Sequence, residues 1–380
     1  MLNKYLIIFK NNSNLIAQYF SDGIFASSTI IIFAFERFYN TNSLIIGEFI
    51  IFLTSALVIS VISSLGRDTV FLNSFSKGKR YKSYKDDLVI SSYVFFLIVI
   101  SLLLTLIFQN LLFFVGALHS YTINQFNILR YVEKIKIYSI LKILFSFLFI
   151  GSYFIFKDSI NYNPIILSYS ISFLLIFLCV NPYKKLMIFF KNRIKTSVSI
   201  KNLIGSIVGY RLSTVSLNML EYKILGATLG IGSVNSVGFL KEILKVFVFL
   251  VQGYNRITAV KISSGYHNNK KNKKNSNSRT INLVGFLILL LISFYFESKL
   301  FFILTIVSFL ENIQNLQSYW FFVKSKVFIL TILYLMTGLI SLYLQSEVNN
   351  DFIFFIIRVV SVLIVVAVSF FLIKHDKQKK

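Results

Sequence analysis

Apolar runs of about twenty residues recur from one end of this sequence to the other, and a helix of that length crosses the ~30 Å hydrocarbon core of a bilayer. Such runs are rich in Phe, Ile and Leu, and the whole chain of 380 residues holds only two prolines. Helices therefore fit better than the alternating, roughly ten-residue strands of a membrane barrel. The expected fold is all-α and polytopic, with twelve spans near 14–35, 44–65, 88–108, 111–130, 137–156, 164–181, 203–222, 231–254, 281–297, 300–320, 327–344 and 352–373. An apolar share of 56% and a mean hydropathy of +0.73 exceed what soluble domains carry. The start, "MLNKYLIIFKNNSN", has too short an apolar stretch and no small-residue cleavage site for a secretory signal, so the first span is expected to be retained.

The formal charge of +24 is distributed as membrane topology rather than as a nucleic-acid surface. With the amino terminus in the cytoplasm, one side holds "GRDTVFLNSFSKGKRYKSYKDD", "RYVEKIK", "PYKKLMIFFKNRIKTSVSIK", the run from Arg256 through Arg279, Lys324 with Lys326, and the tail "KHDKQKK". The other side keeps Arg37, Lys157, Lys223 and Lys299. The positive-inside rule then places both termini in the cytoplasm of a bacterial inner membrane, with the basic loops contacting lipid headgroups and no nucleic-acid partner. One cysteine, Cys179, leaves no disulfide or thiolate metal site, and three histidines (His119, His267, His375) assigned to loops and tail leave no His-based centre. No cofactor is expected. The short outer loops offer no room for a folded catalytic domain, which argues for passage rather than an enzyme.

Sliding the chain against itself gives a recurrent offset of about 190, the kind of internal repeat on which transporters are built. "NLI" at 14–16 meets "NLI" at 202–204, Gly47 meets Gly238, "RDT" at 67–69 meets "RIT" at 256–258, and Lys134 and Lys136 fall on Lys324 and Lys326. Six spans per half give both halves the same orientation. Two parallel-repeat six-helix bundles, 1–190 and 191–380, should flank a central cleft.

Six ionisable residues lie well inside spans: Asp22, Arg211, Lys241, Glu242, Lys245 and Glu311. Each costs about 2.5–3.5 kcal/mol at a lipid-facing helix centre, so they are expected to pair or to face water. Helical spacing stacks Lys241, Lys245, Gln252 and Arg256 on one face of the eighth span; Arg211, Thr214 and Asn218 on the seventh; Gln18, Asp22 and Thr29 on the first; Glu311, Asn315 and Ser318 on the tenth. On the functional reading Arg211, Lys241 and Lys245 present cations to an anionic substrate, Asp22, Glu242 and Glu311 serve coupling or gating, and Gln18, Asn218, Gln252 and Asn315 line the cleft. On the structural reading Glu242 and Lys245 are an i,i+3 pair, and Asp22 with Arg211 is a lock between bundles. Lys142 and Arg358 are expected to snorkel, and Glu48, Glu221 and Lys223 to sit near the outer interface. The stretch "LENIQNLQSYW" around Trp320 reads equally as a sugar-facing surface or an interfacial belt.

The segment "LNMLEYKILGATLGIGSVNSVGFLKEILKVF" resembles the seventh-to-eighth helix stretch of polysaccharide flippases in the multidrug/oligosaccharidyl-lipid/polysaccharide exporter superfamily. There an acidic-basic couplet precedes "ILG" and a Val-Gly-aromatic follows. "FNILRYVEKIKIYSI" resembles their fourth-helix exit. Glu221 stands where the family often has Asp, and Tyr222 intervenes before Lys223. The resemblance implies a Wzx-type flippase for O-antigen or capsule repeat units. Its partners would be an undecaprenyl-pyrophosphate-linked oligosaccharide, membrane lipids and polysaccharide assembly enzymes, with coupling to H+ or Na+. Twelve spans rather than fourteen argue against the lipid II flippase branch. Two rivals are a cation-coupled multidrug antiporter of the same superfamily, with Asp22 as the coupling acid, and an integral membrane polysaccharide polymerase.

Overall fold

The computed structural model describes residues 2–39, 44–158, 163–180, 198–267, 273–295 and 298–378. Thirteen helices lie among them: α1 (Leu2–Tyr39), α2 (Ile45–Ser64), α3 (Arg67–Ser76), α4 (Arg80–Phe108), α5 (Leu112–Tyr131), α6 (Ile135–Phe156), α7 (Pro164–Cys179), α8 (Val198–Leu229), α9 (Ile231–His267), α10 (Lys273–Tyr295), α11 (Lys299–Val323), α12 (Val327–Ser346) and α13 (Asp351–Gln378). No strand occurs among the described residues. Each of the twelve expected spans falls on one of these helices, and α3 is the extra one. Seven of the helices are long and apolar enough to cross a membrane on length and composition; α8 and α9, which carry Arg211, Lys241, Glu242 and Lys245, are not among the seven.

Helix ends follow local chemistry. Pro164 opens α7 where its missing N–H costs nothing, and the Asn163 side chain caps that helix by accepting from Ile165 and Ile166 N–H at 3.1 and 3.3 Å. Ser298 caps α11, and Asn350 accepts from Phe352 N–H ahead of α13. Two consecutive left-handed residues, Leu65 (φ 49°) and Gly66 (φ 62°), break α2 from α3. That break turns a stretch assigned to a basic loop into a short buried helix. At its far end Lys77 is held below the ordinary lysine range, first by partial burial and then by the charges of Lys79 and Lys82.

The helices form two bundles around a central cavity. The amino-terminal bundle packs α1 on α6, α2 on α5 and α6 on α7; the carboxyl-terminal one packs α8 on α12, α11 on α13 and α9 on α11. Aromatic side chains fill the first interior, where Phe145 meets Phe173 at 4.7 Å and Tyr169 meets Phe149 at 5.5 Å between ring centroids. The bundles join where α1 meets α9 and α2 meets α8. The boundary expected at 190/191 lies outside the described residues.

Candidate functional site: a central cavity between the bundles

A cavity of ≈ 540 Å³ opens between the bundles, with walls supplied by α1, α3, α5, α6, α8, α11 and α12. The two faces expected on the seventh and tenth spans both reach it: Arg211, Thr214 and Asn218 from α8, Glu311, Asn315 and Ser318 from α11. Helical periodicity alone aligned them, because three- and four-residue steps return to one side of a helix. Three cations share the wall: Arg211, Arg130 of α5 and Lys142 of α6.

Arg211 is anchored across the interface. Its Nη1 lies 2.7 Å from Asp68 Oδ1 on α3, and its Nη2 donates to Thr69 Oγ1 at 2.5 Å. Its side chain keeps 28% exposure while Asp68 has 3%. Asp68 also accepts from Asn127 Nδ2 at 2.6 Å and from Thr69 N–H at 2.8 Å. Arg130 donates through Nη2 to Asn127 Oδ1 and lies over the Tyr138 ring at 5.1 Å.

The lock expected between Asp22 and Arg211 is replaced by two separate pairs. Asp22 takes Lys142 Nζ at 2.5 Å and the Tyr138 hydroxyl, so the polar face of α1 looks at α6 inside its own bundle. Ser21, bonded to Ser139 at 3.2 Å, follows the same face; Gln18 is buried there and lies off the cavity wall. Lys142 therefore does not snorkel. Its side chain is 9% exposed, its ammonium lies 4.3 Å from the Phe25 ring centroid, and its position one and a half turns from a helix end is overruled by a buried carboxylate within reach.

Arg358 does not snorkel either. With 5% exposure it sits among Glu311 at 3.2 Å, Glu221 at 3.7 Å, Asn218 Oδ1 at 2.8 Å and the Tyr334 hydroxyl at 3.3 Å. Glu221, assigned to the outer interface, is buried by this arginine. Lys241 lies off the cavity wall, over the rings of Tyr222 (4.7 Å) and Phe355 (5.4 Å) and within the fields of Glu221 and Glu311. Glu242 and Lys245 pair as i,i+3 neighbours, with Lys245 58% exposed and away from the wall. The Gln252 and Arg256 side chains lie outside the described residues. His119, assigned to a loop, stands on α5 beside Ser60 Oγ at 3.1 Å. Around Trp320, the residues Glu311, Asn312, Gln314, Asn315, Ser318 and Tyr319 line the cavity, while Trp320 is buried in packing.

Sequence reasoning missed Asp68, Asn127 and Arg130. Asp68 was read inside a basic loop, and only the "RDT"/"RIT" correspondence drew attention to its neighbourhood. No group of three or more His, Cys, Asp or Glu residues able to hold a metal occurs among the described residues.

By sequence the chain matches no family model and no curated protein. By structure it resembles MATE transporters of the MOP superfamily. MATE in the straight conformation superposes with a TM-score of 0.69 at 13% identity, covering 96% of this chain and 94% of the other. An outward-facing multidrug resistance MATE family transporter of the MOP superfamily gives 0.63 at 13% identity, covering 97% and 96%. A MOP superfamily transporter from Pyrococcus furiosus, described by the reverse polarity of its binding pocket and a different function inferred from it, gives 0.64 at 14% identity, covering 97% of each chain.

Proposed function

We propose that this chain is a MOP-superfamily transporter of the Wzx type, a flippase that moves a lipid-linked oligosaccharide repeat unit across the bacterial inner membrane by alternating access of the bundles 1–190 and 191–380. The observation that carries the reading is the chemistry of the cavity wall. Arg130, Lys142 and Arg211 face it together with the amides of Asn127, Asn218, Asn312, Gln314 and Asn315. Guanidinium and ammonium groups suit a pyrophosphate where water is scarce, and amides suit sugar hydroxyls as both donors and acceptors. The cavity is too small for a whole repeat unit with its lipid, so it takes the headgroup region while the chain stays in the bilayer.

The excess of Lys and Arg in the loops of one side supports an orientation with both termini in the cytoplasm. Asp22, paired with the wall cation Lys142, and Glu311, a wall carboxylate paired with Arg358, are where a coupling H+ or Na+ would act by changing those pairings. Membrane lipids and polysaccharide assembly enzymes are the expected partners.

The test is a deletion strain in which surface polysaccharide and lipid-linked oligosaccharide on the inner leaflet are quantified together. Loss of surface glycan with a trapped inner-leaflet intermediate, restored by the wild-type gene, supports the flippase. Normal glycan with lost resistance to cationic dyes replaces it with the multidrug antiporter.

A further inference from the structure

The cavity carries its own competitor for an anion. Asp68 accepts from both terminal nitrogens of Arg211, and a phosphate binding that guanidinium end-on, through Nη1 and Nη2, needs the same donors. The carboxylate is also the centre of a polar chain that crosses between the bundles, from Arg130 on α5 through Asn127 to Asp68 on α3 and Arg211 on α8. At the Arg130 end, Nε and Nη1 are buried without a hydrogen-bond partner, so that guanidinium has donors in reserve.

α3 bears on the other bundle along its length. At Gly66, where it begins, a Cβ would lie 2.7 Å from Ile207 Cγ2 of α8. Thr69 holds Arg211. Near its end Asn73 Nδ2 reaches the Phe322 carbonyl of α11 at 3.4 Å. The Asp68–Arg211 pair thus does two things at once: it occupies the cavity's most exposed guanidinium and it ties α3 to α8.

We propose that Asp68 is a resident surrogate for the substrate's anionic group. With the cavity empty it satisfies Arg211 and keeps α3 seated; a phosphate or pyrophosphate ester takes Arg211 from it and releases α3, opening the end of the cavity that faces the cytoplasm in the orientation proposed above. Occupancy and gating are then one exchange of hydrogen bonds. This rests on the reading of the cavity as an anion site, and the experiment separates the two.

Purified full-length protein in nanodiscs is titrated with farnesyl pyrophosphate, inorganic pyrophosphate and uncharged farnesol. A pair formed nine-tenths of the time weakens apparent affinity about tenfold, so Asp68→Asn is expected to bind farnesyl pyrophosphate about tenfold more tightly than wild type. That gain should vanish in an Arg211→Gln background. Thr69→Val, which removes the hydroxyl's bonds with Arg211 and Asp68 and leaves the ion pair, is expected to give a gain of about threefold and serves if Asp68→Asn does not fold. In a Cys179→Ser background, which has no other cysteine, Thr214→Cys on the cavity wall should label faster from the cytoplasmic side once Asp68→Asn is added. Tighter binding of farnesyl pyrophosphate than of inorganic pyrophosphate supports a lipid-borne anion; equal binding supports the latch with a free anion as its ligand. Binding by wild type with no gain in either variant overturns the surrogate while leaving the anion site standing. No pyrophosphate binding by wild type or by Asp68→Asn removes the anion site, and the surrogate with it.

Discussion

Exposure separates Arg211 and Arg358, two arginines inside the carboxyl-terminal bundle, more sharply than chemistry does. Arg358 is 5% exposed and its guanidinium is taken up by Glu221, Glu311, Asn218 and Tyr334; Arg211 is 28% exposed and faces the cavity. Removing one partner of a buried ion pair strands the other charge, at about 3–5 kcal/mol. Arg358→Ala should therefore lower thermal stability in detergent by that amount, and Arg358→Met with Glu221→Gln should recover part of it. Arg211→Ala leaves Asp68 its hydrogen bonds from Asn127 and Thr69 and the cavity beside it, so protein abundance should stay within about twofold while the proposed transport falls at least tenfold. Equal loss of abundance and transport would make Arg211 a structural lock. Lys142→Met belongs with Arg358: it leaves Asp22 buried with the Tyr138 hydroxyl, and the destabilisation should appear in the same melting assay.

One helix crossing shows how the bundles are brought together. α2 and α9 approach at reciprocal glycines: a Cβ at Gly47 would lie 2.7 Å from Ile231 Cγ2 and 3.1 Å from the Ile231 carbonyl oxygen, and one at Gly238 would lie 1.7 Å from Ile50 Cδ1. The carbonyl cannot rotate away as a side-chain tip can, so Gly47→Val must part the helices. With Asn235→Cys introduced on α9 in the cysteine-free background, Gly47→Val should speed its labelling from the outer side several-fold. An unchanged rate would mean that the crossing does not close that end. These glycines were visible in the sequence only as a pair at the repeat offset. Their role needed the neighbouring helix, since nothing in a run of small and apolar residues says which one another backbone will touch.

Across the whole molecule the charge asymmetry makes a claim about orientation. Green fluorescent protein fused after the last residue should fluoresce and alkaline phosphatase there should be inactive, whereas phosphatase inserted between α6 and α7 should be active. The opposite result would invert the topology and place α3 at the outer face. The two bundles meet through α1 with α9 and α2 with α8, the first helix of each against the second of the other. This arrangement lets one cavity be walled by both.

Length, hydropathy and spacing were enough to find twelve of the described helices and the cavity faces of α8 and α11, because both are one-dimensional properties: a bilayer sets a helix length, and a helix returns to the same face every three or four residues. Charge partners are not one-dimensional. Asp22 and Lys142 are separated by 120 positions and Arg211 and Asp68 by 143, and the sequence held several carboxylates that could have served each cation. Which of them lay within 3 Å was decided by helix packing, through the turn at Leu65 and Gly66 that folds α3 under the cavity. Lys241 was drawn away from the cavity for the same reason, since packing set two aromatic rings beside its ammonium. The sequence determined that charge would be buried in this membrane protein; the tertiary structure alone decided which charges answer one another and which of them face the cavity.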